Sequence, residues 1–559
     1  MKKFFSISIF CFALIFSNYS CRPDNPVVPP PEPPEPPDIP VTEMTIGYCS
    51  ESNDFEGLGA GAVVLQGAIR IPVATANALV GNKITKIKFG VCAQGVSLSN
   101  AMVFISESLG GEPVVSQTVE SITDGWNEVT LTTPYEIESN TEFYVGYSYK
   151  TSGGYPLAID LTTFDPDNGG FIAIGTNWTT LTAEGFDCNL ALYTTVEGDN
   201  LPQYDLDLTN LNLPNYYLTG SNIGLKGSVT NRAAKTITSF EVIYKIGNND
   251  EKTYIVSNVN IPNYASYDFT VPNISTTQQG AVPVSVRIGQ LNGNKVDVYQ
   301  SNNSKNTVIN SYPVLFLKKT VVEEGTGTWC GWCPRGIVGM RTMAATYPDK
   351  FIGIAVHNGD PMAVTAYNSG MGFSGFPNAA INRAFLVDPN ATDLDKALSQ
   401  ADEYFIYGIE ITNAQINGST IDATVKITSA VDTVVNQNVA FVIVENDVTG
   451  TGSGYNQQNY YANNYAGPMG GFESLPSVIP ASQMVYQEVA RGIFPSFNGA
   501  AGSVPSNLTA NVPVTFSYTI NLPSTINNIA NIELIALLLE NKPGGYKPWQ
   551  IVNATKIHF

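Results

Sequence analysis

The chain has 559 residues, which is too long for one hydrophobic core, and domains of ordinary size would divide it into roughly three to five units. Hydrophobic residues make up 43% and charged residues 14%, with 49 glycines and 35 prolines, a balance that favours β-sandwiches over long helices. The formal net charge of -20 argues against nucleic acid as a partner, because a phosphate backbone is bound by clustered Lys and Arg.

The first residues predict export and a lipid anchor. Lys2 and Lys3 precede an apolar run, residues 4–16, that is too short for a stable membrane span and matches the core of a secretion signal. The run leads into SNYSC, which resembles a lipobox. We therefore expect residues 1–20 to be a signal peptide and Cys21 to be lipidated, attaching the chain to the outer membrane of a cell envelope. A cleaved signal followed by a bystander cysteine is the alternative.

A proline-rich segment, residues 21–43, follows the anchor. Its sequence, CRPDNPVVPPPEPPEPPDIP and the few residues after it, is incompatible with a helix or a sheet ladder. In the polyproline II conformation, at about 3.1 Å per residue, the quoted residues 21–40 would extend roughly 60 Å. We expect a stalk that holds the globular part clear of the membrane.

Residues 44–198 are predicted to form a β-sandwich or jelly roll. Short alternating strands such as KITKIKFGVCA, AMVFISES and TEFYVGYSYK are separated by Gly, Asn and Asp. The stretch from residue 124 to residue 160 resembles the cleaved-adhesin modules of secreted bacterial proteins. That resemblance implies a binding or spacer module with a glycan or a protein as its ligand.

Residues 199–311 are predicted to form a second β unit. Strands such as NIGLKGSVTN, SFEVIYKIG and AVPVSVRIGQLNG are enough for one seven-strand immunoglobulin-like sandwich. The unit resembles the adhesion-related immunoglobulin-like domains of bacterial envelopes, which space or bind.

Strands and helices alternate in residues 312–405. VLFLKKTVVEEGTG, FIGIAVHN and NAAINRAF read as strands, and WCPRGIVGMRTMAATYP as a helix. PMAVTAYNSG is a short helix, and TDLDKALSQADEYF is a helix with Thr392 as its N-cap. Residues 406–559 return to β patterns and are predicted to form a C-terminal β-sandwich. A Gly-, Asn- and Tyr-rich insertion there reads as a surface loop, whose tyrosines form either a binding patch or a packed flap.

The α/β unit contains the sequence GTGTWCGWCPRG, with Cys330 and Cys333 separated by two residues. A Cys-x-x-Cys at the start of a helix suits dithiol exchange, because the positive end of the helix dipole stabilises the thiolate of Cys330. Cys333 lies one turn further on and can close a disulfide that releases a bound partner. Arg335 adds positive charge, and Pro334 suits the first helical turn. We expect Cys330 to lie open to an incoming protein.

These residues resemble the active-site region of the thioredoxin superfamily, whose strand, dithiol, helix order is present. The resemblance implies a thioredoxin-like α/β fold for residues 312–405 without a cofactor or metal. It implies that Glu324 is the buried acid that removes a proton from the resolving cysteine, and that Pro377 is a cis-proline facing the disulfide. Trp329, Trp332 and Pro377 would then form the substrate-contacting surface, although Trp329 suits packing equally well.

Other interpretations of these positions are open. Glu323 is adjacent to Glu324, so the register is uncertain by one residue, and Glu324 could instead pair with Lys318 or Lys319 at a strand end. Pro377 could be an ordinary trans proline. A zinc site would need two more ligands in a chain with only two histidines. His357 reads as a satisfied strand-end histidine more readily than as a catalyst, and no nucleophile elbow accompanies it.

Three cysteines, Cys49, Cys92 and Cys188, lie in the first sandwich. Two of them could pair in an oxidising compartment, and spacing does not say which. They could equally be small buried hydrophobic residues.

Residues 313–559, with VVEEGTGTWCGWCPRG followed by β patterns, resemble the twenty-eight-kilodalton outer-membrane-protein family. The sequence as a whole supports two hypotheses about function. The first is a cell-envelope thiol–disulfide oxidoreductase whose partners are protein thiols or disulfides. The second is a surface adhesion or scaffold lipoprotein in which the dithiol stays oxidised. It is suggested by size, since three β modules and a stalk make up far more of the chain than one small redox unit does.

Overall fold

A computed structural model of the protein describes residues 39–50, 55–93, 95–161 and 164–559. The predicted signal peptide, the lipidation site Cys21 and nearly all of the predicted stalk lie outside these residues. Strands dominate the described part of the chain, and its architecture is multidomain and mainly β, as the composition predicts. Within it, no helix is long and apolar enough to cross a membrane.

The first sandwich has two antiparallel sheets that share one apolar core. Side chains alternate between the core and solvent along parts of its longer strands, as in residues 127–132, because successive residues of a strand point to opposite faces. One sheet has seven strands (β1, β2, β4, β7, β9, β12, β13) and the other has six (β3, β5, β6, β8, β10, β11). The elements are β1 (Glu43–Gly47), β2 (Glu56–Leu58), β3 (Val64–Ile71), α1 (Val73–Ala78), β4 (Lys83–Val91), β5 (Leu98–Ser106), β6 (Val115–Val119), β7 (Gly125–Glu136), β8 (Phe143–Thr151), β9 (Leu157–Asp160), β10 (Phe171–Ile174), β11 (Asn177–Thr180), β12 (Asn189–Leu190) and β13 (Leu192–Glu197).

The second sandwich pairs a three-stranded sheet (β14, β16, β19) with a five-stranded sheet (β15, β21, β20, β17, β18). It has eight strands where the sequence pattern predicts seven. The additional strand is the short β15, which pairs in parallel with β21. The strands are β14 (Leu206–Asn212), β15 (Tyr216–Leu218), β16 (Ile223–Asn231), β17 (Ile237–Ile246), β18 (Lys252–Ile261), β19 (Ser266–Ile274), β20 (Gly280–Leu291) and β21 (Ser304–Tyr312).

Strands and helices alternate in the next part of the chain. The parallel strands β23 and β24 form the middle of a sheet in which β25 is antiparallel to β23 and β26 is antiparallel to β25. Helices α2 and α4 share an apolar cluster with one face of this sheet, and α3 shares a cluster with the other. The elements are β22 (Phe316–Leu317), β23 (Thr320–Thr326), α2 (Pro334–Thr346), β24 (Phe351–His357), α3 (Thr365–Met371), β25 (Asn378–Ile381), β26 (Phe385–Val387), α4 (Ala391–Ser399) and β27 (Tyr404–Phe405).

Helix α4 begins at Ala391, and its N-cap is Asn390. The Asn390 backbone is extended, and its side-chain oxygen accepts a hydrogen bond from the Asp393 N–H at 2.9 Å. The prediction that Thr392 caps this helix is wrong, because Thr392 already lies inside the first turn, where no cap is formed.

The last part of the chain extends the same sheet. β34 pairs with β24, so the eight strands run in the order β26-β25-β23-β24-β34-β31-β37-β38 across residue 406, where the sequence analysis places a domain boundary. A three-stranded sheet (β28, β29, β36) shares an apolar core with the C-terminal strands. The strands are β28 (Tyr407–Asn417), β29 (Thr420–Ser429), β30 (Thr433–Val434), β31 (Gln437–Glu445), β32 (Gln457–Gln458), β33 (Val478–Ile479), β34 (Val489–Phe494), β35 (Asn507–Leu508), β36 (Val514–Asn521), β37 (Ile532–Asn541) and β38 (Trp549–His558).

One long connection in this region bears on the site described below. Residues 446–488, here named the covering loop, join β31 to β34 and contain the predicted Tyr-rich insertion. The loop has an apolar cluster of its own, which includes Phe472, Ile479 and Tyr486, and Ile337 and Val338 of α2 pack against that cluster. The covering loop is therefore a packed structure on top of helix α2.

Candidate functional site

The two cysteines of the Cys-x-x-Cys motif form a disulfide in the turn between β23 and α2. The Cys330 N–H donates to the Gly327 carbonyl at 3.0 Å, and the Cys333 N–H donates to the Cys330 carbonyl at 3.2 Å. Cys333 is the N-cap of α2, and Pro334 follows in the first turn, where its missing N–H costs nothing. The sulfur pair therefore lies at the positive end of a thirteen-residue helix.

Strand β23 places its two glutamates on opposite faces of the sheet. Glu323 faces α3 and is fully buried, and its carboxylate accepts hydrogen bonds from Tyr367 Oη at 2.6 Å and from the Arg383 guanidinium at 2.8–3.1 Å. Glu324 faces α2, where Gly336 has no Cβ and leaves room for its carboxyl group. The acid beside the dithiol helix is thus Glu324, and its partner is neither Lys318 nor Lys319.

The carboxyl group of Glu324 is buried with one of its two oxygens unpaired in the described part of the chain. Its side chain is 2% exposed, and Oε1 has no hydrogen-bond partner among the described residues. Burial and, to a smaller extent, the nearby carboxylate of Glu488 raise its pKa from 4.5 to about 8, against a hydrogen bond with Thr326. Glu324 can therefore accept or release a proton near neutral pH, which an exposed glutamate cannot do.

The covering loop lies directly on the dithiol turn. The Gln458 N–H donates to the Thr328 carbonyl at 2.8 Å, and the Tyr460 N–H donates to the Gly331 carbonyl at 2.9 Å. The Gln457 side-chain amide donates to the Cys330 carbonyl at 2.9 Å. The Tyr460 ring packs so closely on Gly331 that a Cβ at this position would collide with it.

Cys330 is consequently 4% exposed, and Cys333 is fully buried. The expectation that Cys330 lies open to an incoming protein is wrong for this structure. The physical reason is the covering loop, which arises more than a hundred residues further along the chain and bonds to the turn through its backbone. No local pattern around the motif could have revealed it.

Exposed aromatic rings flank the covered disulfide. Trp329 is 48% exposed, donates from Nε1 to the Asn358 carbonyl at 2.6 Å, and meets the ring of Phe376 edge-on. The Phe376–Pro377 peptide bond is cis, and Pro377 is buried. Trp332 is 38% exposed and contacts the rings of Tyr460 and Tyr461 in the covering loop. The structure thus has Trp329 on an open surface and Trp332 against the covering loop.

Two polar side chains near the turn, Arg335 and His357, already have partners. Arg335 forms an ion pair with Asp388 at 2.5 Å, so its positive charge beside Cys330 is largely offset. His357, 3% exposed, lies with Nδ1 2.6 Å from Asp360 Oδ2, the same oxygen that accepts the Thr328 N–H at 3.0 Å. The histidine and aspartate therefore anchor the loop that precedes Trp329. Asp360 has no recognisable motif in the sequence.

The remaining described cysteines are unpaired in this structure. Burial raises the pKa of the Cys49 thiol to about 12 and that of Cys188 to about 11, and it also raises the pKa of Cys92. These thiols lie in the first sandwich and remote in sequence from the dithiol. Among the residues that the structure describes, no group of three or more His, Cys, Asp or Glu side chains is arranged to hold a metal ion.

A known protein family matches part of the chain. The family described as outer membrane protein Omp28 matches residues 364–555, roughly a third of the chain, beginning just before helix α3 and ending in β38. The matched range includes the covering loop and lies beyond the dithiol. The family's description names the outer membrane, which agrees with the predicted cell-envelope location. No curated protein matches the chain.

Solved structures are similar only over parts of the chain. HBP35 of Porphyromonas gingivalis is 15% identical, with a TM-score of 0.32, over 44% of this chain and 76% of that one. A CARDB domain from Pyrococcus furiosus is 14% identical, with a TM-score of 0.16, over 20% of this chain and 89% of that one. A β-glucuronidase of Bacteroides uniformis is 8% identical, with a TM-score of 0.16, over 46% of this chain and 27% of that one. TM-scores below 0.5 support no statement about this chain's activity.

Proposed function

We propose that the chain is a cell-envelope thiol–disulfide oxidoreductase that acts on protein substrates through Cys330 and Cys333. The observation that carries the proposal is the buried carboxyl group of Glu324, which has one oxygen without a hydrogen-bond partner among the described residues and lies against the helix that begins at the disulfide. A buried carboxyl group without partners costs stability, and such groups concentrate at functional sites. A purely structural disulfide would need no such group.

The alternation of strands and helices around the turn supports a thioredoxin-like module as the catalytic unit. Parallel β23 and β24, antiparallel β25 and β26, two helices on one face and one on the other are the arrangement that this resemblance implies. The position of cis Pro377 beside Phe376 and Trp329 is also what the resemblance implies.

In the proposed reaction, the Cys330 thiolate of the reduced protein attacks a sulfur of the substrate disulfide, and one substrate thiolate leaves. Cys333 then gives its proton to the ionised Glu324 carboxylate, and the resulting thiolate attacks the Cys330 sulfur of the mixed disulfide. The second substrate thiolate leaves as the Cys330–Cys333 bond forms. Two electrons pass to the substrate, and the reverse sequence oxidises a substrate dithiol.

Access to Cys330 is the additional step that the covering loop imposes. The backbone bonds from Gln458 and Tyr460 and the side-chain bond from Gln457 must open before a substrate sulfur can approach Cys330 in line. Trp329 and Phe376 lie beside the covered position and offer the apolar surface on which an extended substrate chain would lie. Trp332 would become part of this surface only after the loop moves.

The test is trapping in the native envelope with the full-length chain. A Cys333→Ala variant leaves Cys330 unable to release its substrate, so disulfide-linked adducts with other envelope proteins should accumulate after acid quenching. The matched control is the double variant Cys330→Ala, Cys333→Ala, which should give none. An absence of adducts, combined with a Cys330 that does not react with thiol probes, would contradict the proposal.

The proposal also covers how the chain is attached to the membrane. We infer a lipoprotein attached through Cys21 to the outer membrane, with residues 21–43 as a spacer and the two N-terminal sandwiches as adhesin-like modules that bind a glycan or a protein. Metabolic labelling with a fatty-acid probe should mark the wild type and leave a Cys21→Ala variant unmarked.

A second function has its own supporting observation. The 4% exposure of Cys330 favours a surface adhesion or scaffold lipoprotein in which the dithiol remains an oxidised staple. An outward-facing reductase would also lack an evident electron source. Protease treatment of intact cells, followed by immunoblotting, separates the two: a chain that is digested faces outward and supports the scaffold, whereas a protected chain faces the periplasm.

A further inference from the structure

A cavity of about 650 Å³ lies on the side of helix α2 that faces the covering loop, and Glu324 is part of its wall. Ile337, Met340 and Ala344 of α2 form one side of the cavity. The opposite side comes from the junction between the covering loop and β34, where Glu488 is located. The cavity thus joins the acid of the dithiol site to a second carboxyl group from the distant C-terminal strands.

Glu488 is held in an unusual way. Its backbone has φ of 56°, a left-handed conformation that residues other than glycine and asparagine seldom adopt. The Glu488 N–H donates to Asn446 Oδ1 at 2.8 Å, and its carbonyl accepts the Ala355 N–H at 2.8 Å. The side chain lies on Gly353 of β24, where a Cβ would collide with it. Non-glycine residues in this conformation are enriched at functional sites.

The two carboxyl groups influence each other because both are buried. The nearby charge of Glu488 adds to the effect of burial in raising the pKa of Glu324, and burial raises the pKa of Glu488 itself from 4.5 to about 7. Lys556 opposes that rise and Glu533 adds to it. In a low-dielectric site a neighbouring negative charge disfavours ionisation, so the ionised form of Glu488 favours the protonated form of Glu324.

The other charged and titratable groups that face the pair do not replace this interaction. Arg341, His357, Asp447 and His558 line the same cavity. His357 is bonded to Asp360, and Arg341 donates to the Gly470 carbonyl at 3.2 Å. Asp447 is exposed at the surface and accepts from Gln487. Among the charged groups that line this cavity, Glu488 is the one that shifts the pKa of Glu324.

We propose that Glu488 is a positioning residue of the dithiol site: it shares a proton with Glu324, sets the pH at which Glu324 ionises, and with the cavity forms the route by which that proton exchanges with water. The inference deepens the proposed function and rests on it, because the acid pair has a catalytic role only if Cys330 and Cys333 exchange disulfides. In the reaction, Glu324 starts ionised with the shared proton on Glu488, and it accepts the proton of Cys333. Glu488 then releases its proton to solvent and accepts the one from Glu324, which restores Glu324 as a base.

The test measures the titration of Glu324 directly, on the oxidised full-length chain. Infrared difference spectra recorded against pH give the band of the protonated carboxyl group, which is assigned as the component lost in Glu324→Gln. In Glu488→Gln, we expect the titration midpoint of Glu324 to fall by on the order of one pH unit, because a neighbouring negative charge has gone. The matched control is Asp447→Asn, which removes a carboxylate from the same cavity and should leave the midpoint unchanged.

A second variant controls for the possibility that Glu488→Gln misfolds. Glu488→Asn also removes the charge, and asparagine tolerates the left-handed backbone at this position. It should lower the Glu324 midpoint as Glu488→Gln does. A midpoint that stays unchanged in the folded variants, or that falls equally in Asp447→Asn, overturns the proposal.

The outcome is separable from that of the trapping experiment, since the oxidised protein carries out no thiol chemistry during the titration. If trapping fails and the midpoint still falls, the proposed oxidoreductase is wrong and the coupled acid pair stands. If both succeed, the pH at which disulfide formation reaches half of its maximal rate should fall in Glu488→Gln by the same amount as the Glu324 midpoint.

Discussion

Replacing Glu324 by glutamine should stabilise the protein increasingly as the pH rises. The pKa of Glu324 is raised from 4.5 to about 8 in the folded chain, chiefly by burial. An acid with a raised folded-state pKa binds its proton more tightly when folded, so its full contribution to stability is present below the unfolded pKa. That contribution is lost as the pH rises from 4.5 towards 8, because ionisation then favours the unfolded chain.

The magnitude follows from the two pKa values. Between about pH 5.5 and about pH 8.5, the proton linkage of this one group removes about 3 kcal/mol from the free energy of unfolding. Glutamine does not titrate, so the variant loses no free energy of unfolding through proton linkage at this position. The cost of burying an amide in place of a carboxyl group is independent of pH and cancels when the two pH values are compared. Glu488 titrates in both proteins, so the difference between them reports the titration of Glu324 together with its coupling to Glu488.

Peptide-resolved hydrogen exchange of the full-length chain is the suitable assay, because the several units of this protein need not unfold in one transition. The amides of Thr320–Thr326 report the opening of β23. Relative to wild type at the same pH, their exchange in Glu324→Gln should slow further by about a hundredfold when the pH is raised from about 5.5 to about 8.5. Glu410→Gln, at an exposed position on β28, should show no such change.

One result would refute the reasoning. If the ratio of exchange rates between Glu324→Gln and wild type is the same at both pH values, Glu324 ionises in the folded chain as easily as in the unfolded one. The argument that its burial suits it to accept the proton of Cys333 would then have no basis.

Three further predictions concern single contacts. Tyr460→Ala should speed reduction of the disulfide by dithiothreitol by roughly two- to tenfold, because an aromatic contact over the turn is lost. The control is Tyr465→Ala, in an 82% exposed position of the same loop, which should leave the reduction rate unchanged. Asn390→Ala should destabilise helix α4 by about 1 kcal/mol in hydrogen exchange, whereas Thr392→Ala should have little effect. Arg383→Met should cost about 3–5 kcal/mol, read from hydrogen exchange of the β23 amides, because its fully buried glutamate partner on β23 loses its counter-ion; an unchanged exchange rate would contradict this.

The sequence predicts those parts of the structure that depend on neighbours along the chain. The mainly β class, the strands on either side of residue 330 and the helix after Cys333 follow from residue periodicity and from Gly and Pro positions. The placement of the dithiol at the helix N-terminus follows in the same way, because the turn is only seven residues long between Thr326 and Pro334.

The electrostatic environment of the dithiol could not be predicted in this way. Which of the two glutamates faces the helix depends on the register of a single strand, and the sequence leaves that open by one residue. The partners of these glutamates come from elsewhere: Arg383 follows β25, and Glu488 precedes β34. Arg335 reads as a free positive charge in the sequence, yet Asp388 neutralises it across a gap of more than fifty residues.

The continuity of the central sheet explains why the site depends on the C-terminal half. β24 pairs with β34, and β34 pairs with β31. The loop between β31 and β34 therefore starts and ends at the end of the sheet where the dithiol turn follows β23. Residues 312–405 alone would lack β34, the covering loop and Glu488. Their Cys330 would be open and their Glu324 would have lost the neighbour that adds to its raised pKa. A reduction potential measured on that fragment would therefore describe a different site, and only the full-length chain has the covered disulfide and the coupled acid pair together.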